Sequence, residues 1–495
     1  MSVPENIAAL DLGSNSFHMV VARSLDGGDI QVLDKLKIRV RLAGGLDASG
    51  HLTPKAEKRA LEALEQFGQR VRSMPRGSVR AVGTNTLRKL RNPLPFLIRA
   101  HKALGHPIEI IAGREEARLI YQGVAHDSVA AGRRLVVDIG GGSTELIIGE
   151  GFEPVALESL FMGCVSYSLR FFPDGKVTAK SMAAAMTAAR LELESIERHF
   201  RRLGWSEAMG SSGTANAIAR ILRETGIEPL GITRKGMKRL RRRMIETKRI
   251  EDLDLPGLSA ERRPVIAGGV AILSAVFDAL KIQTMSPTSG ALREGLLYDL
   301  IGRHQGADAR EGTINRYAER LRVDRAQARR VERTALRLFD RVSVAWKLSD
   351  NRRRQLAWAA RLHEVGAFVT YSGYHKHGAY LIANADLPGF SRQSQGVLAA
   401  LVLAHRGKLD TDRLREYYPS PSRKLLRLAA LLRLAVRLHR GRSPQSLPDV
   451  RLNVSDDVLV LTFPPGWLDE NPLTSADLET EATALLSAGF SLTFA

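Results

Sequence analysis

The chain runs through two hydrophobic periods in turn. At the start, "IAALDLGSNSFHMVVA" places apolar runs at Ile7–Leu10 and Phe17–Ala22 around a short polar break, which predicts strand, turn, strand. "DIQVLDKLKIRVRLAGGL" alternates and predicts a further strand. The period then lengthens to that of a helix from Pro54 to about Arg72, with Thr53 as N-cap and Pro54 at the first position. "SVRAVGTNTLRKLR" reads as strand, turn and helix, and "HPIEIIAG" as a strand before a helix that starts near Glu115. The strand–turn–strand pattern returns in "VVDIGGGSTELIIGE", Val136 to Glu150. A long helix from Thr178 to Arg202 follows, then strand–turn–helix units in "SEAMGSSGTANAIARIL" and "TMSPTSGALREGLLYDL". From about 313 to 440 the pattern is helical throughout, with arginines between Leu, Ala and Val. The tail predicts a strand pair in "VRLNVSDDVLVLTF", a helix opening with Thr474 and Asp477 in capping-box spacing, and a last strand in "FSLTF". Polar, punctuated "RHQGADAREGT" and "GRSPQSLPD" read as linkers. The expected organisation is one α/β lobe over 1–124, a second over 125–303, a helical domain over 304–442 and a small α/β module over 443–495.

The two strand–turn–strand units carry similar polar chemistry. Asp11-Leu12-Gly13-Ser14-Asn15-Ser16 parallels Asp138-Ile139-Gly140-Gly141-Gly142-Ser143, about one small domain apart. Glycine lets another group approach the backbone, and successive N–H groups in such a turn can form an anion-binding nest. Ser143 and Thr144 add hydroxyls, while Asp138 and Glu145 are hard oxygen ligands suited to Mg²⁺. There is no GxxxxGK[ST], so this is not a P-loop. A dinucleotide fingerprint needs a helix after its glycines, and a strand is expected here. A plain β-hairpin satisfies the glycines equally well. The second copy favours duplicated lobes facing across one cleft, with a phosphate and its metal between them.

At this point the residues match a known family. "IAALDLGSNSFHMVVA", "AVGTNTLR", "GREEARLIYQGV", "VVDIGGGSTELIIGE", "MGSSGT" and "SGALREGLLYDL" resemble, in order, the motifs of the exopolyphosphatase and guanosine pentaphosphate phosphatase family in its long form. The resemblance implies two actin-like, ribonuclease-H-like ATPase lobes, an all-α HD-like domain and a small α/β tail. It implies Mg²⁺ on Asp138 and Glu145. Asp11, the symmetric partner of Asp138, reads as a second outer carboxylate for the metal, or else as a hairpin-capping Asx-turn. The terminal phosphate would lie on Gly140, Gly141, Gly142, Ser143 and Thr144, faced by Ser14, Asn15 and Ser16. Arg88 would supply a guanidinium to phosphate oxygens, with Lys89 and Arg91 as surface charges. "GREEAR" offers Glu115 and Glu116 at a helix start, where adjacent side chains point about 100° apart, so one should face the cleft. Residue types alone do not say which, and acids are common in a first turn. The family pattern matches its water-activating glutamate to Glu116. Gly213 and Thr214, in "MGSSGT", would line a channel.

Charge separates the substrates. The chain carries +20 overall: +10 in residues 1–300, +16 in 301–450 and −6 in 451–495. An arginine-rich third domain attracts polyanions, and Arg433, Arg437, Arg440 and Arg442 are expected to guide a long anionic chain. Exopolyphosphatase activity, releasing orthophosphate from polyphosphate ends, is therefore the leading expectation. Guanosine pentaphosphate hydrolysis, as in the stringent response, is the runner-up in the same class. A sugar kinase or chaperone-like ATPase, and a nucleic-acid-binding protein, are the alternatives from other classes. The last lacks zinc-finger spacing or an aromatic RNP run, so no specific nucleic acid is expected. His363-Glu364, His375, His377, His405 and Asp386 resemble an HD metal centre, but Glu364 stands where that centre needs aspartate. The lone Cys164 excludes an internal disulfide and, with no signal-like start, suggests the cytoplasm. Val265–Leu280 is apolar but short of a span, and its Gly and Ala suit a packed helix. Family members suggest a homodimer, and the basic surface suggests peripheral contact with anionic lipid.

Overall fold

The computed structural model describes residues 3–25, 30–127, 132–228 and 231–495. They form two compact units, Met1–Ala309 and Arg310–Ala495. The first contains two sheets. Strands β1 (Asn6–Leu12), β2 (Ser16–Ser24), β3 (Ile30–Arg39), β4 (Val79–Gly83) and β5 (Ile108–Ile110) lie in the order β3-β2-β1-β4-β5. Strands β6 (Arg133–Ile139), β7 (Thr144–Glu150), β8 (Glu153–Leu160), β9 (Glu207–Ser211), β10 (Ile232–Thr233) and β11 (Thr284–Pro287) lie in the order β10-β11-β9-β6-β7-β8. Without the edge strand β10 the orders are identical: third, second, first, fourth, fifth. In both, the first three strands are antiparallel and the first, fourth and fifth parallel. The sequence repeat is thus a repeat of topology, as actin-like lobes require.

The pleat of β1 explains how the lobes are joined. Ala8, Leu10 and Leu12 point into a core beneath the helices Pro54–Val71 and Leu94–Leu104. Ile7 and Ala9, on the other face, join an apolar layer with the helices Gly113–Asp127 and Leu292–Gln305 and with Val136, Ile147 and Met209 of the second sheet. A strand buried on both faces reads as continuous apolar sequence. The two helices approach at glycines: a Cβ on Gly295 would fall 1.8 Å from the Leu119 carbonyl oxygen, and one on Gly123 2.2 Å from that of Ala291. Behind this contact, Arg80, Arg118 and Arg303 all pair with Asp299, and Arg118 also pairs with Glu115 at 2.8 Å. Burial pushes the Asp299 carboxyl up, but the three guanidinium groups hold it well below the usual range.

Helix Ile266–Leu280 is the core helix of the second lobe, buried on every side except at Asp278. Its apolar run has the length and composition of a membrane helix, but most of it lies inside the protein. Three local expectations need correction. The expected linker at 303–313 is mostly helix: Leu292–Gln305 ends at Gly306 (φ 84°), whose positive φ suits a C-terminal glycine, and Ala309–Arg320 begins after Ala307 and Asp308. Thr53 precedes its helix, but its side chain makes no capping hydrogen bond. The tail helix starts at Pro472, so Thr474 already lies in its first turn and forms no capping box.

In the second unit, the helices share one core with β12 (Arg451–Ser455), β13 (Val458–Thr462) and β14 (Ser491–Phe494), ordered β12-β13-β14. The arginines expected to guide a polymer are engaged elsewhere. Arg433 is fully buried, pairs with Glu481 of the tail helix, and donates to the carbonyls of Ala404 at 2.7 Å and Gly407 at 2.8 Å. Arg437 reaches the same Glu481 at 2.9 Å, Arg440 pairs with Asp477, and Arg442 with Glu364 and with Asp324 at 3.0 Å. Part of the positive charge is therefore internal glue, matched by tail carboxylates. Removing Glu481 alone leaves a buried guanidinium without its partner. Glu481→Ala should cost about 3–5 kcal/mol in urea unfolding, whereas a joint Arg433→Met and Glu481→Leu replacement should recover most of that loss.

Candidate active site

The turns of the two hairpins face each other across a cavity of about 270 Å³. Asp11, Ser14, Asn15 and Ser16 come from one side, and Asp138, Gly140, Gly141, Gly142 and Ser143 from the other. The turns nearly touch: a Cβ on Gly141 would lie 3.1 Å from that of Ser14, and one on Gly142 2.6 Å from Asn85 Oδ1. Asn85 Nδ2 donates to the Gly142 carbonyl at 3.2 Å, and Thr86 Oγ1 to Ser14 Oγ at 2.8 Å. These bonds tie the strand–turn–helix of "AVGTNTLR" to both turns.

Glu115 and Glu116 are both buried but meet different surroundings. Glu115 enters the arginine network with Arg80 and Arg118. Glu116 lines the cavity, and its Oε2 accepts from Arg88 Nη1 at 2.6 Å. Arg88 also donates to the Ile111 carbonyl at 3.1 Å and is not among the residues that line the cavity; its contact with Glu116 sets it behind the wall. Thr144 is likewise turned away, its hydroxyl donating to the Met162 carbonyl at 2.6 Å. Gly213 lines the cavity, whereas the Thr214 hydroxyl donates to the Ile139 carbonyl at 3.0 Å.

The register of the hairpins pairs Asp138 with Glu145 and Asp11 with His18. The duplication is therefore broken: a second acid in one copy is a histidine in the other. Asp11 forms no hairpin cap, and its buried Oδ1 has no hydrogen-bond partner. Burial pushes its carboxyl up to about 7, reinforced by Glu116 and Asp138 and opposed by Arg293. Burial likewise raises Asp138 to about 6, a shift that Glu116 enlarges and a Ser211 hydrogen bond, Arg293 and Arg262 reduce. Glu145 is raised well above the usual range by burial and by Glu116 and Asp138, even though Ser159 donates to it at 2.8 Å. Burial, then Arg293, hold His18 down near 3, so its ring is neutral and Nδ1 lies 3.3 Å from Arg293 Nη1.

This donor set fits a hard divalent cation. It is made of carboxylates, one of its buried oxygens has no partner, and its members repel one another. Among the described residues no three acidic, histidine or cysteine side chains form a cage by themselves. Mg²⁺ needs none, because it keeps waters and takes substrate phosphate oxygens alongside one or two carboxylates.

Sequence reasoning missed His18, Asn85, Ser212, Arg262 and Arg293, all in the cavity wall. His18 was legible, since it stands seven residues after Asp11 as Glu145 does after Asp138. Asn85 and Arg293 lie inside quoted motifs, "AVGTNTLR" and "SGALREGLLYDL". Arg262 carried no signal; its guanidinium covers Gly213, where a Cβ would fall 1.6 Å from Nη2. Ser212 opens the helix Ser212–Glu224 with φ 78°, which a non-glycine residue adopts only under constraint. In the second unit, His363 and His405 are buried, each with Nδ1 against a local carbonyl (Ala360 at 2.7 Å, Val402 at 2.6 Å). Burial lowers both, and Glu364 is held by Arg442. The HD-like histidines form no metal cluster among the described residues.

Without a cation, the raised carboxyls keep protons that unfolded carboxyls, with ordinary values near 3.8, release. Folded pKa values above unfolded ones mean that stability is greatest at low pH and is lost as pH rises from about 4 through 6–7. In chelator, thermal denaturation should therefore show a midpoint that falls between pH 5 and pH 8. Mg²⁺ should restore it more at pH 8 than at pH 5, and Asp11→Asn with Asp138→Asn should flatten the slope. Equal pH dependence with and without metal would contradict the carboxylate cluster.

Residues 20–304 match the Ppx/GppA phosphatase family and residues 309–482 match Ppx/GppA phosphatase, domain III. The chain is 41% identical over 485 residues to a guanosine-5'-triphosphate,3'-diphosphate pyrophosphatase of Photobacterium profundum, covering 98% of this chain and 97% of that one. It is 42% identical over 486 residues to the protein of the same name in Vibrio cholerae serotype O1, with the same coverage. Among solved structures, an exopolyphosphatase from Cytophaga hutchinsonii superposes with a TM-score of 0.55 at 23% identity, covering 60% of this chain and 98% of that one. An Aquifex aeolicus PPX-GPPA enzyme superposes with a TM-score of 0.51 at 23% identity, covering 59% and 99%. At that identity the likeness concerns the fold.

Proposed function

The chain belongs to the Ppx/GppA phosphatase family, and we propose that it hydrolyses the terminal phosphoanhydride of guanosine 5'-triphosphate 3'-diphosphate, with inorganic polyphosphate as a second substrate of the same site. The observation that carries this reading is the cavity of about 270 Å³ between twin turns, lined by Asp11, Glu116 and Asp138, with Glu145 buried beside them. It is small for a whole nucleotide, given typical ligand pockets of about 300–1,000 Å³, and suits a phosphoryl end. What recognises the rest of the substrate lies outside it. The relatives at 41% and 42% identity favour the guanosine compound. The case for the polymer from the third domain weakens, because Arg433, Arg437, Arg440 and Arg442 are paired with acids.

Phosphoryl transfer needs positioning, charge neutralisation and an oriented water. Gly141–Ser143 and Ser14–Ser16 offer N–H and hydroxyl groups to the phosphoryl oxygens, while the Gly140 N–H donates to the Ser143 carbonyl at 2.9 Å and closes the turn; Arg293 and Arg262 offer guanidinium groups from the wall. Asp11, Asp138 and Glu145 would hold Mg²⁺, which neutralises charge on the phosphate oxygens. Glu116 has one carboxylate oxygen fixed by Arg88 and the other available to accept a proton from water. As that O–H breaks, the water oxygen bonds to phosphorus. The bridging P–O bond then breaks, and its electron pair stays on the leaving phosphate.

Glu116→Gln should lower kcat by about 10²–10⁴ with little change in KM; near-normal turnover would remove Glu116 from that role. Purified protein given guanosine pentaphosphate in Mg²⁺ should release one orthophosphate per molecule, and long polyphosphate should compete with it. Release from neither substrate would overturn the reading.

A further inference from the structure

One strongly charged surface of the first unit has no part in the cavity. Helix Arg234–Thr247, "RKGMKRLRRRMIET", buries Gly236, Met237, Leu240 and Met244. The opposite face presents Lys235, Lys238, Arg239 and Arg242, all exposed. Their spacing of i, i+3, i+4 and i+7 puts them in a single stripe. Among the described residues none of the four side chains has a hydrogen bond or an ion pair, whereas those of their neighbours do: Arg241 rests on Met186 sulfur at 3.1 Å and Arg243 donates to the Asp254 carbonyl at 3.1 Å. Like charges at these spacings disfavour the helix, as do cations in its first turn, where the dipole is positive and no acid stands. A bound anion relieves both.

The stripe discriminates among anions. The helix has no aromatic side chain on which bases could stack, which single-strand nucleic acid binding uses. Its apolar face is buried in the lobe, leaving nothing to insert into a lipid surface. A linear phosphate polymer needs only closely spaced cations. The helix also leads toward the cavity: exposed Lys248 and Arg249 follow it, then Ile250 and Glu251, which line a groove of about 440 Å³. That groove has Ser14 and Asn15 in common with the catalytic cavity, and Arg263, also in its wall, has a buried Nε without a partner.

We propose that the stripe Lys235, Lys238, Arg239 and Arg242 is a docking track for inorganic polyphosphate, holding the part of a long chain that lies beyond the end in the cavity. This rests on the polymer being a substrate of that cavity.

The test compares the full-length protein with a K235Q/K238Q/R239Q/R242Q variant; glutamine keeps the helix propensity of lysine and arginine. A K55Q/R70Q/R76Q/K102Q variant removes equal charge from dispersed exposed sites. For the stripe variant, affinity for long-chain polyphosphate should fall about tenfold or more. The slope of log affinity against log salt should flatten by about 3, at about 0.7 per lost contact. Phosphate release from guanosine pentaphosphate should be unchanged. Unchanged polymer affinity, an equal loss in the dispersed variant, or tighter binding of an RNA oligonucleotide of equal charge would overturn the track. Absence of phosphate release from the polymer by the unaltered protein would instead overturn the polymer as a substrate, while the binding arm still decides the stripe.

Discussion

The first unit is organised around mutual repulsion among buried carboxylates. Burial, and then the neighbouring Glu116 carboxylate, raise the carboxyls of Asp11, Asp138 and Glu145, with Asp138 adding to the shifts of the other two. Such a cluster costs stability on its own and becomes favourable only with a cation and an anionic ligand between its members. The surrounding fold holds it in place. Twin hairpins supply an acid each, and the Gly113–Asp127 helix brings Glu116 to the wall while turning Glu115 into the Asp299 network behind it. Glycines at 123 and 295 let that helix sit tightly against its neighbour, so Glu116 is carried by packed elements rather than by a loop.

The duplication explains the economy of this arrangement and also its asymmetry. Two copies of one strand order generate facing turns without further design. At one pair of equivalent positions, one lobe has Glu145 and the other a neutral His18 beside Arg293. Where the second hairpin places an acid, the first thus places a neutral ring against a guanidinium.

Much of this is legible in the amino-acid sequence. Period-two runs and glycine turns fix the hairpins, and the matching Asp-x-Gly segments reveal the repeat. The difficulty lies with side chains whose partner is distant in sequence. Arg88 gives no sign in the sequence that it meets Glu116, 28 residues away. Arg433 and Arg437 read as a surface track until tail-helix Glu481 is brought against them. Arg262 sits outside every motif and reaches the cavity only because Gly213 leaves room for it. Thr474 matches a capping pattern, but Pro472 and Asn471 set the helix start earlier. Local pattern specifies elements well; it does not specify which charge a long side chain will find.

The most direct test of the carboxylate cluster is calorimetric titration of Mg²⁺ into the protein with and without imidodiphosphate, a non-hydrolysable stand-in for the phosphoanhydride end. Near pH 6 the cluster should release protons as the metal binds, the analogue should tighten metal binding, and Asp138→Asn should weaken both effects. Metal affinity indifferent to the analogue and to Asp138→Asn, with no proton release, would contradict the account.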